Sequence, residues 1–122
     1  MSSAEFIEHR GTKVLLIDFS DSSDAHAVIK TVEEAIALVA GTKQPGSLLG
    51  LVDLSGVRFT SEIQGAIKRL AAHNRPYMKF IAIVGLGGMR ALMLRLMLRL
   101  KKRTNHKLIS SRQEALDWLV VQ

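Results

Sequence analysis

Four aspartates, Asp18, Asp21, Asp24 and Asp53, are the side chains best placed by type and order to do chemistry. Each falls at or just after the end of an apolar run, and that edge of a parallel α/β sheet is where ligands collect. Carboxylates there could hold a cation or carry a proton. The spacing in DFSDSSD, residues 18–24, matches no calcium loop, so Asp21 and Asp24 read as residues that cap or charge-stabilise a helix start. Asp53 and Ser55 read as a strand-end polar pair with a structural or ligand-facing role.

Histidine and cysteine add little to that edge. His9, His26, His73 and His106 fall on four different elements with no metal-ligand spacing. There is no cysteine, which removes disulfides, thiolate metal sites and Cys–His nucleophiles. Neither a G-x-S-x-G elbow nor a Walker loop is present. The expectation is therefore a protein that is not an enzyme and that needs neither cofactor nor metal.

VGLGGMR, residues 84–90, invites comparison with a dinucleotide fingerprint. Gly85-x-Gly87-x-x-Arg90 lacks the third glycine, however, and puts a bulky Arg where close helix packing is needed. It reads as a strand-to-helix turn in which Gly85, Gly87 and Gly88 form a hinge. The stretch that follows is unusual: of the seventeen residues 87–103, nine are Ala, Leu or Met, six are Arg or Lys, and none is acidic. On a helical wheel Arg95, Arg99, Lys102 and Arg103 share one side. Met93, Leu94, Leu96, Met97, Leu98 and Leu100 sweep roughly 200°, about twice what one sheet face needs. The surplus asks for a second partner. An anionic membrane surface fits, with cations on headgroups and Leu and Met in the acyl boundary, and so does an apolar small ligand. Plain core packing or a homodimer seam would use the same arc. A transmembrane span is excluded, because the stretch is short of ~20 apolar residues and carries arginines throughout.

The net charge of +6 is unevenly spread. Residues 1–57 hold four Lys/Arg against eight Asp/Glu, and residues 58–122 hold thirteen against three. Such polarity points to an anionic partner for one face. Nucleic acid ranks below membrane and protein, because aromatics are only 5% of the chain and none lies between Phe80 and Trp118 to stack on bases.

The elements that must position these residues are legible from periodicity. A chain of 122 residues with 48% hydrophobic content is long enough for one domain, residues 1–122, with its own core. EFIEH and TKVLLIDFS flank Arg10-Gly11 as a hairpin. A helix of about sixteen residues follows DSSD, with Val28, Val32, Ala35, Ile36 and Val39 inward and Gly41 at its stop. SLLGLVDLS is a buried strand. Ser61 and Gln64 fit a capping box opening a helix with Ile63, Ala66, Ile67 and Leu70 inward, ending before Pro76. KFIAIVG is a third buried strand, followed by the basic, apolar helix. HKLIS is a short last strand, and Ser111 with Glu114 caps a closing helix that turns Ala115, Trp118 and Leu119 inward. Apolar strands alternating with helices predict an α/β fold: a hairpin, then successive βα units in a mostly parallel sheet.

This order, together with GTKVLLIDF, LVDLSGVRF at 51–59, HNRPYMKFIAIVG at 73–85 and the terminal EALDWL, resembles the STAS domains. It is most similar to their SpoIIAA-like branch, which is likened to the CRAL-TRIO lipid-binding fold. The resemblance spans nearly the whole chain. It implies a non-enzymatic module with an apolar pocket and membrane contact through a movable helix. Anti-sigma-antagonist members carry a phosphorylatable serine in a D-S-S-G context just beyond the aspartate strand. Here the neighbourhood reads Thr60-Ser61-Glu62-Ile63-Gln64-Gly65, with Glu62 at the matching position, so that switch is not carried over.

The expected function is binding of an apolar ligand or an anionic membrane surface. Met93, Leu96, Met97 and Leu100 would supply apolar contact, and Arg95, Arg99, Lys102 and Arg103 charge. The alternative is a protein–protein or regulatory module, such as a homodimer, burying the same arc. MSSAEFIEHRGTK lacks the basic start and apolar run of a signal peptide, which sets the expected location as cytoplasmic, peripheral at the membrane.

Overall fold

In a computed structural model, which describes residues 2–87 and 105–122, the chain reverses at Arg10-Gly11. Both residues have positive φ, 50° and 78°, the geometry of the two-residue turn whose twist matches its flanking strands. Glycine adopts it at no steric cost. The turn joins β1 (Ser3–His9) to β2 (Thr12–Asp18) in an antiparallel ladder running from His9–Thr12 to Ser3–Asp18.

Among the described residues, three further strands and three helices follow in the expected order. α1 (Ala25–Ala40) leads to β3 (Leu48–Asp53), then α2 (Ser61–Asn74), and a 3-10 turn at Arg75–Tyr77 leads to β4 (Met78–Val84). β5 (His106–Ile109) and α3 (Arg112–Leu119) complete the described chain. The sheet order is β1-β2-β3-β4-β5, with every pairing after the hairpin parallel. This is the α/β architecture that the periodicity predicts.

Alternation along β2 assigns the two faces. Leu15 and Ile17 point toward α1 and α2, joining Val28, Val32, Ala35, Val39, Ile63, Ala66, Ile67 and Leu70 in the larger core. Val14 and Leu16 point the other way, with Leu51, Ala82 and Val84, under Ala115 and Leu119 of α3. Strands buried on both faces read as continuous apolar runs, which is why Val14–Ile17 shows no polar residue. Ile36 and Trp118, both expected inward, are half-buried at the margins of the two clusters.

Helix starts differ from expectation at one position. The cap of α2 is Thr60 rather than Ser61: its backbone is extended and its Oγ accepts from the Ile63 N–H at 3.3 Å. Thr60 also supplies the first helical carbonyl, to the Gln64 N–H, so Ser61 falls inside the first turn. The Gln64 side chain donates to the Phe59 carbonyl instead of closing a capping box. Asp24 caps α1 through the His26 N–H, and Ser111 caps α3 through the Glu114 N–H, as their sequence contexts imply.

Candidate functional site

β2, β3 and β4 end side by side, at Asp18, Asp53 and Val84, so their register brings two carboxylates to one edge. Sequence spacing alone had separated these acids by thirty-five positions. The chain beyond each strand is knitted to its neighbour by main-chain bonds: Phe19 N–H to the Asp53 carbonyl, Asp21 N–H to Ser55, and Leu54 N–H to Val84. Two close approaches require glycine. Gly56 (φ 68°) lies against the Asp21 carboxylate, and Gly85 (φ 91°) lies against Ser55. A Cβ on Gly85 would collide with the Ser55 Oγ and backbone N and lie 2.5 Å from its Cα. The expected hinge glycine thus has a steric reason to be glycine.

The two strand-end carboxylates meet one cation. Arg112, the first residue of α3, places Nη2 2.6 Å from Asp53 Oδ2 and 3.3 Å from Asp18 Oδ2. Each acid uses its other oxygen locally. Asp18 Oδ1 accepts from Ser20 N–H at 2.9 Å and from Ser20 Oγ at 2.6 Å, while Asp53 Oδ1 accepts from Ser55 N–H at 2.9 Å. The Asp53 side chain is only 8% exposed, against 22% for Asp18 and 40% for Arg112. Burial pushes the Asp53 carboxyl up. The Ser55 side chain and N–H, followed by the Arg112 guanidinium, outweigh that, and the net effect holds it below the ordinary carboxylate value.

Each oxygen of the two carboxylates thus has a donor or cation within the protein, serine on Oδ1 and Arg112 on Oδ2. Among the described residues no group of three His, Asp or Glu could hold a metal ion. Asp24 is a helix cap, and Asp21 sits in a left-handed turn with its carboxylate toward Gly56. Of the expected site residues, Asp53, Ser55 and Gly85 therefore come together at one edge, and Gly87 is exposed just beyond it. Gly88, Met93, Arg95, Leu96, Met97, Arg99, Leu100, Lys102 and Arg103 lie outside the described residues.

Sequence reasoning missed Arg112, which it counted only as part of a basic region. A signal existed: a cation in the first turn of a helix opposes the helix dipole and asks for an anionic partner. It also missed the clasp at the other end of α3. There Asp117 Oδ1 lies 3.0 Å from His9 Nε2 and 3.4 Å from Arg10 Nη2, at the hairpin turn.

No protein-family model matches the sequence, and no curated protein matches it. Solved structures do match in shape. An uncharacterised protein of the DUF3478 family from Shewanella loihica PV-4, with a SpoIIAA-like fold, aligns with a TM-score of 0.75 at 16% identity, covering 98% of this chain and 95% of that one. RsbS from Moorella thermoacetica, in a form carrying a serine-to-glutamate substitution, aligns with a TM-score of 0.68 at 16% identity over 97% and 95% of the two chains. An anti-sigma-factor antagonist (STAS) domain protein from Planctomyces limnophilus gives 0.64 at 17% identity over 97% and 98%. The chain has the SpoIIAA-like STAS fold that its sequence resembles. At these identities the likeness is one of fold. No described helix is long and apolar enough to cross a membrane.

Proposed function

We propose that this protein is a non-enzymatic binding module, and that the basic, apolar stretch 87–103 carries it to an anionic membrane surface or an apolar ligand. The observation that carries the reading is composition: six cations and nine Ala, Leu or Met residues without one acid, attached where β4 ends. The strand-end carboxylates beside that attachment support a binding rather than a catalytic role, because Asp53 is tied to Arg112 and Ser55, and Asp18 shares the same guanidinium. Membrane contact here rests on the chain's own residues, not on the CRAL-TRIO likeness. Each cation near an anionic bilayer contributes about 1 kcal/mol, screened by salt.

Co-sedimentation with phosphatidylserine-containing and neutral vesicles, at low and physiological salt, tests this. Binding to the anionic vesicles that weakens with salt is expected, and absence of binding under every condition would remove the membrane. A second reading, a regulatory protein–protein module, is favoured by the RsbS and anti-sigma-factor-antagonist neighbours. It predicts a mass that rises with protein concentration, or capture of a protein partner, with no response to lipid.

A further inference from the structure

Among the described residues, the two sheet faces carry helices of very different length. One lies under α1 and α2, of sixteen and fourteen residues. Over the other, the described cover is α3, eight residues of which only Ala115 and Leu119 are buried. Beneath it sits a continuous apolar surface of Val14, Leu16, Leu51, Ala82 and Val84. Leu116 and Trp118 add partly buried contact at its margin, Trp118 edge-on to Phe80 with ring centroids 5.7 Å apart; a helix of eight residues has little stability away from such packing.

Its two ends are also tied by polar side chains. At the start, Arg112 meets Asp53 and Asp18, which belong to strand ends. Near the finish, Asp117 meets His9 and Arg10, which belong to the hairpin. Removing Arg112 alone strands the Asp53 carboxylate in a covered site, which is costly. Lifting the whole helix does not, because Arg112, Asp53 and Asp117 all regain water together. Opening as a unit is therefore easier than the strength of the closed pairs suggests.

We infer that α3 is an ionic strap, opening as one piece while the β-sheet, α1 and α2 stay folded, and so uncovering the apolar face beneath it. This is independent of how the stretch 87–103 is used. Ordinary fraying makes a different statement: it loosens the last residues and leaves the first turn closed.

Amide hydrogen exchange on the full chain distinguishes them. The N–H of Ala115 donates to the Ser111 carbonyl at the start of the helix, and that of Val120 to Leu116 at its end. The strap predicts one shared opening, with both amides exchanging roughly tenfold or more faster than those of Val32 and Ala35 in α1. It also predicts that Arg112→Gln speeds exchange at Val120, eight positions away. The inference is overturned if wild-type Ala115 is as protected as α1, since α3 would then open only with the whole domain. An unmoved Val120 in Arg112→Gln would overturn it equally, since that end would be fraying alone.

Discussion

Replacing Arg112 by Met keeps most of the aliphatic stem over the sheet and removes the guanidinium. Asp53, 8% exposed, then loses its counter-ion and keeps the Ser55 bonds. Breaking a buried ion pair from one side costs about 3–5 kcal/mol. The Arg112 side chain is 40% exposed, however, and water reaches the pair, so the expected loss falls to about 2 kcal/mol. For a domain of this size that is roughly 5–10 °C in Tm. The pH dependence has a definite sign. Asp53 has a folded-state pKa below its ordinary value, so its contribution is present above the unfolded pKa and is lost as pH falls through the folded one. The gap between wild type and Arg112→Met should be full at pH 7 and shrink as pH falls below the ordinary aspartate value of about 4, where the unfolded chain takes up the proton ahead of the folded one. Thermal unfolding by circular dichroism at pH 7 and pH 3 measures it. A loss under about 0.5 kcal/mol at pH 7, the scale of an exposed pair, would refute the reasoning, as would a gap unchanged at pH 3.

Further substitutions probe the local geometry. Gly85→Ala forces a Cβ into Ser55 at φ 91° and should destabilise by more than about 1 kcal/mol in urea unfolding. Gly65→Ala, inside α2 with open space around it, should instead stabilise by roughly 0.5–1 kcal/mol. Equal signs for these two glycines would contradict the packing described. Thr60→Ala removes the α2 cap and should cost about 1 kcal/mol, whereas Ser61→Ala should cost little; the reverse order would restore Ser61 as the cap.

The fold was legible because its signals are local. Arg10-Gly11 fixes a hairpin by turn chemistry, and Val28, Val32, Ala35 and Val39 fix the inner face of α1 by period. Thr60 and Ser61 are adjacent and chemically equivalent as caps, and only the position of the first helical carbonyl decides between them. The site was harder to see because it is built across the sheet. Asp18 and Asp53 become neighbours through the parallel register of β2 and β3, and Arg112 reaches them from the other end of the chain. No spacing rule links those three positions. His9 and Asp117 are likewise joined by tertiary placement alone. The glycine at 85 was noticed for freedom, while its physical requirement is the approach of Ser55.

The central claim is that the basic, apolar stretch is a binding surface. Its most direct test is Leu96→Asp combined with Met97→Asp, followed in parallel by thermal unfolding and by binding to phosphatidylserine-containing vesicles. The expected result is a cooperatively folded variant, with Tm within a few degrees of wild type, that no longer binds the vesicles the wild type binds. A variant that unfolds would place the two side chains in the core, and one that binds like the wild type would take them out of the surface; either contradicts the claim.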